Sequence, residues 1–142
     1  MEGDGSRGLP LKAWAEDEPV VPPFTDLTIG MLPPGFLGKP ITENIIHRFQ
    51  LFLALTGTVP GEDLKPEHIV RLITGAEKTG SLPLPGLFAK ARGKKLLFFN
   101  QVEDDCALKQ ARELTESLGF EFRSGLWKII AGSVRDDWVV EL

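Results

Sequence analysis

Tyrosine is missing from the 142-residue chain, although nine phenylalanines and three tryptophans are present. No physical reason for that absence is evident. A single cysteine excludes an intramolecular disulfide and a multi-cysteine metal cage. Two methionines, two asparagines and three glutamines complete a set of scarce thermolabile residues. That scarcity is a trend of heat-adapted proteins and suggests a thermophile, or a phage of one, as source. No apolar run approaches the 18 residues that a membrane span needs. The opening Met1-Glu2-Gly3-Asp4-Gly5-Ser6 lacks the apolar core of a secretory signal, so a cytoplasmic location is expected. Phosphate-cradling and nucleophile-elbow patterns are also absent: G-x-G-x-x-G, G-x-x-x-x-G-K-[ST] and G-x-S-x-G do not occur.

What is present is an ordinary globular composition, 42% hydrophobic and 25% charged, with a net charge of −4. Such acidity disfavours a general nucleic-acid coat, which needs a basic surface. The charge is uneven. Residues 1–40 carry six acidic and three basic side chains, whereas residues 41–142 carry 14 and 13. The first 40 residues also hold seven of the 11 prolines and six of the 15 glycines. Proline removes a donor and fixes φ, so this stretch predicts an extended arm with neither a regular helix nor a central strand. Its apolar content, including Leu9, Leu11, Trp14, Val21, Phe24, Ile29 and Phe36, is too high for a solvated tail. Either the arm wraps over the domain and completes its core, or it offers Trp14, Phe24 and Phe36 to a partner.

The remainder, 41–142, reads as one α+β domain. A helix is expected over 42–56, with Thr42 as N-cap and Gly57 as stop. Pro66 in first position and Gly75 beyond the end delimit a second helix, giving a helical hairpin. Residues 76–94 form a long connector with Pro83 and Pro85 around Leu84 and a possible helical turn at Leu87-Phe88-Ala89. From Lys95 the pattern changes to a buried strand, Leu96-Leu97-Phe98-Phe99, then a helix over 105–118 capped by Asp104 or Asp105 and ended by Gly119. Phe120-Glu121-Phe122-Arg123 alternates like a strand, Leu126–Ala131 reads as another, and 137–142 as a short last one. The expected unit is βαββ, half of a ferredoxin-like fold.

Each chemistry-bearing group has a plainer role. Glu103-Asp104-Asp105 sits where a helix start needs carboxylates, and contiguous carboxylates cannot all face one ion. Cys106 lies beside those acids, which oppose thiolate formation, and is expected to pack as a small hydrophobe. His47 and His68 lack metal or metalloprotease spacing. No cofactor or metal is expected.

Lys90, Arg92, Lys94 and Lys95 are the one basic cluster, a possible contact for nucleic acid or an acidic partner. The segments Leu53-Ala54-Leu55-Thr56-Gly57, Val59-Pro60 and Gly125-Leu126-Trp127-Lys128-Ile129 resemble stretches of rhabdovirus matrix proteins, which implies an alternative as a small viral structural protein. No basic membrane-binding arm accompanies them, and no Pro-Pro-x-Tyr motif is possible without tyrosine.

The expected function is non-catalytic. A small acidic regulator would bind a larger protein complex, such as RNA polymerase, whose nucleic-acid-handling surfaces are basic. Trp14, Phe24, Phe36, Trp127 and Trp138 are the candidate partner-binding residues. The alternative is direct nucleic-acid binding through Lys90–Lys95.

Overall fold

A computed structural model describes residues 5–76 and 84–142. The class is α+β, with a mixed four-stranded sheet and helices packed on one of its faces. The strands of that sheet are β2 (Leu27–Leu32), β4 (Lys94–Phe99), β5 (Lys128–Ser133) and β6 (Trp138–Glu141), side by side in that order. β2, β4 and β5 run parallel, and β6 returns antiparallel to β5. A second, two-stranded parallel sheet joins β1 (Leu11–Lys12) to β3 (Ile46–His47).

The proline-rich stretch therefore enters the body of the fold. Leu11, Ala13, Trp14 and Leu32 lie in the main core. β2 escapes the proline constraint because prolines flank it without interrupting it, and it occupies a sheet edge, where one side needs no ladder. A short 3-10 turn, Pro34–Phe36, follows it.

The first helix, α1, covers Phe49–Thr56 and not 42–56. Residues 45–47 are drawn into backbone hydrogen bonds with β1: Leu11 N–H donates to Ile45 O and Ala13 N–H to His47 O, at 3.1 and 3.2 Å. Arg48 then takes a left-handed φ of 59° to start the helix, so Thr42 caps nothing. Gly57 ends α1 at φ 73° as expected. Helix α2 runs Pro66–Thr74, with proline in the first turn and Gly75 at its end. Within the connector, Ala76 pairs with Leu84, and the turns at 86–91 close through Ala89 N–H to Gly86 O and Ala91 N–H to Phe88 O. The segment 77–83, with Pro83, lies outside the described residues.

Helix α3 (Asp105–Ser117) follows β4, and its N-cap is Asp104, whose carboxylate accepts from Ala107 N–H at 2.7 Å. Asp104→Ala is expected to lower unfolding free energy by about 1 kcal/mol, measurable as a shift in urea midpoint at unchanged slope. The buried stripe of α3 is Ala107, Ala111, Leu114 and Thr115. Cys106 falls one residue outside that stripe and is exposed, contrary to the expected burial. Residues 120–124 form a short helix, α4 (Phe120–Ser124), and not a strand. The alternation of Phe120 and Phe122 misleads there: Phe122 packs against Phe88, ring centroids 6.5 Å apart, while Phe120 faces solvent. The order from β4 is therefore β4-α3-α4-β5-β6, and the expected half-ferredoxin arrangement is not confirmed, because a helix stands where its second strand was expected.

Candidate functional site

Side chains alternate across a sheet, so the register assigns each residue to a face. One face carries Leu32, Leu97, Phe99, Ile129 and Ala131, which belong to the main core beneath the helices. The opposite face carries Ile29 and Met31 from β2, Leu96 and Phe98 from β4, Ile130 from β5 and Val139 from β6. None of these six belongs to the core cluster or packs against it. Ile29, Met31 and Val139 are 52%, 49% and 61% exposed. Leu96 is buried, and Phe98 and Ile130 are half-buried.

An apolar patch continues from strand to strand with no described helix over it. Lone exposed apolar side chains are common, but contiguous patches mark interaction surfaces. The patch also joins a free edge. β2 pairs only with β4 among the described residues, so no backbone ladder occupies its other side. Beside that edge lies a cleft of about 290 Å³ lined by Trp14, Val20, Val21, Phe24, Leu27, Ile29 and Leu87, among others.

At the amino-terminal end of β4 and β5 the apolar face meets a cationic rim. The Lys94 ammonium lies 4.8 Å from the centre of the Trp127 ring and that of Lys128 5.8 Å. Lys128 also pairs with Glu141 at 2.6 Å.

The aromatic residues singled out by sequence separate into distinct environments. Trp14 is a core side chain. Phe24 is 79% exposed beside the edge cleft. Phe36 is half-buried under the Lys39 ammonium, 4.7 Å from its ring centre. Trp127 stands at the rim of the open face, and Trp138 lies on the helix-covered side of β6 at the sheet's outer edge. The structure thus groups Phe24 and Trp127 near the patch and edge, places Trp14 in the core with part of it lining the edge cleft, and leaves Phe36 and Trp138 elsewhere. Of the basic cluster, Lys90 and Arg92 are exposed before β4, Lys94 joins the rim, and Lys95 turns to the other face, half-buried. Ile29, Met31, Phe98 and Ile130 were not singled out by sequence. The available signal was β4 itself, apolar at consecutive positions, as strands covered on both faces are.

Glu18 receives two hydrogen bonds from Arg48, at 2.7 and 3.0 Å, and pairs with buried Lys12 at 3.3 Å. The Arg48 guanidinium is the main cause holding the Glu18 carboxyl down to about 2 from an ordinary 4.5. A depressed carboxyl stabilises the fold above its unfolded pKa, and the contribution fades as pH falls. Wild type should therefore lose about 1–2 kcal/mol more than Glu18→Gln between pH 4.5 and 2, as read by denaturant titrations of both chains. Equal slopes against pH would remove this role.

His68 is buried, and its Nδ1 accepts from Lys65 N–H at 3.1 Å. Burial is the main cause lowering its pKa, as also for His47. Glu103 pairs with Arg135 at 3.0 Å. Among the described residues no group of three or more His, Cys, Asp or Glu side chains is arranged to hold a metal ion. At the carboxyl ends of β2 and β4 a shallow cleft of about 470 Å³ includes Asn100 and Gln101. The Asn100 Oδ1 is buried there without a hydrogen-bond partner, and Gln101 has a left-handed φ of 61°.

The fold and face together define an α+β unit whose parallel strands are helix-covered on one side and, among the described residues, carry no helix on the other. The family described as YqeC protein matches residues 1–50. The chain is similar to the "Uncharacterized protein YqeC" of Escherichia coli (strain K12), with 36% identity over 73 residues, 51% of this chain and 28% of that protein. The matched part is thus under a third of the relative's length. No solved structure matches. No helix among the described residues is long and apolar enough to cross a membrane.

Proposed function

We propose that this chain is a non-catalytic binding unit that joins a larger protein assembly through the open face of its sheet and the free edge of β2. The observation that carries the reading is the apolar layer Ile29, Met31, Leu96, Phe98 and Ile130, outside the core cluster and contiguous with β2, which among the described residues has a strand partner on one side only. Parallel sheets normally have both faces covered, because lone apolar faces in water lose the free energy that burial supplies. The surrounding cations, Lys94 and Lys128, suit acidic groups on the partner at that rim. The net charge of −4 on the chain as a whole favours encounter with basic machinery, of which RNA polymerase is one instance.

The test is the native mass of the chain recovered from the cells that make it. Wild type should migrate well above its own 15.6 kDa, and Ile29→Asp combined with Phe98→Asp should return it to monomer mass. A wild-type chain that is itself monomeric in extract contradicts the proposal.

A second reading rests on Trp127 between two lysines, an aromatic and cationic platform of the kind that single-stranded nucleic acid stacks on. It predicts strongly salt-dependent binding to an oligonucleotide, lost in Trp127→Ala. Absence of binding at low salt removes it.

A further inference from the structure

The geometry points to the kind of partner this surface fits: we infer that its occupant is an α/β unit that adds a strand parallel to β2 and lays amphipathic helices over the open face. This inference rests on the docking reading above and specifies the partner.

Three observations converge. First, β4 is apolar toward both faces, with Leu97 and Phe99 in the core and Leu96 and Phe98 opposite. Strands with that double-sided character are those of parallel sheets buried on both sides by helices. A strand designed for one wet face would alternate apolar with polar instead.

Second, the open edge belongs to a parallel strand. β2 extends the parallel set β2-β4-β5, while the sheet's other edge strand, β6, runs antiparallel to β5, so only the β2 edge continues the parallel set. Parallel neighbours are joined by crossovers of a dozen or more residues, usually helical, and such crossovers pack on a sheet face. A unit supplying the next parallel strand therefore brings helices to the very face that lacks them. A second copy of this chain is a poorer fit. Its helices are already committed to its own core, so it would oppose sheet to sheet, an arrangement of antiparallel sandwiches.

Third, the 73 matched residues are 51% of this chain and 28% of the similar E. coli protein, so that protein is longer than this chain by more than 100 residues, enough for such a unit.

Photo-cross-linking in the cells that make the chain tests this. Benzoylphenylalanine is placed singly at Phe98 on the face, at Leu27 near the edge, and at exposed Glu116 on α3 as control. Cross-linked peptides are then identified by mass spectrometry. Adduct at Phe98 and Leu27 should exceed the Glu116 control by about ten-fold. Phe98 adducts should map to an amphipathic helical segment, and Leu27 adducts to an apolar β-branched strand segment nearby in the same polypeptide. The adduct's mass tells whether that polypeptide is joined to this chain.

Adducts to a second copy of the chain, or to a partner without that strand-and-helix pair, overturn the inference and leave the docking reading standing. Yields no higher than at Glu116 overturn both.

Discussion

Phe99→Ala is expected to destabilise the chain by about 3–5 kcal/mol, whereas the same change one residue earlier, Phe98→Ala, should cost less than about 1 kcal/mol in the isolated protein. The two side chains have the same chemistry and share a strand. Phe99 is fully buried among the helices, in contact with the main core. Removing its ring leaves a cavity that the surrounding close-packed side chains cannot fill, adding to the lost transfer free energy. Phe98 points to the opposite face, outside the core cluster, and is half-buried. Truncating it removes little contact that the isolated chain makes. Urea denaturation of both variants reads the difference directly. A loss for Phe98→Ala as large as that for Phe99→Ala would mean that both faces of the sheet are core.

Gly86→Val should be strongly damaging, at about 3 kcal/mol or more. At Gly86 the connector crosses the end of α2 at backbone contact. A Cβ on residue 86 would overlap the Gly75 nitrogen and lie 2.5 Å from Ile73 O and 2.6 Å from Thr74 C. Those atoms are main chain and cannot rotate aside. The neighbouring hydrogen bonds, Leu87 N–H to Leu72 O at 3.0 Å and Gly75 N–H to Arg71 O at 2.8 Å, hold the same crossing together. Moving the connector away from the helix end to admit a side chain breaks them. A thermal midpoint for Gly86→Val within a few degrees of wild type would show that the crossing is looser than described. By contrast Gly35, with no heavy atom near its would-be Cβ, should accept alanine with little change.

The parts legible in sequence are those decided locally. Asp104 caps α3 because a carboxylate just before a helix satisfies its free N–H groups, and that chemistry needs no tertiary partner. Pro66 and Gly75 bound α2 for equally local reasons. The errors arise where distant segments decide. Residues 45–47 have helical spacing, yet the backbone of β1 captures them as a strand. Leu27–Leu32 lies in a stretch whose prolines argue against sheet, but the constraint acts only at the prolines themselves, and β4 recruits the six residues between them. Phe120–Arg123 shows the converse: alternation without a neighbouring strand yields a helical turn. Much of the candidate surface was hidden for a different reason. Consecutive apolar residues in β4 indicate that both faces want burial, but not which face this chain can bury by itself. That depends on where the helices fall, which only the assembled fold shows.

The most direct test of the open face is amide hydrogen exchange of β2, compared between the purified chain and the chain in its native assembly. In the purified chain, amides of Leu27–Leu32 that do not bond β4 should exchange rapidly, and in the assembly they should gain protection comparable to β4 amides. Equal exchange of these amides in both samples would contradict a partner at this edge and face.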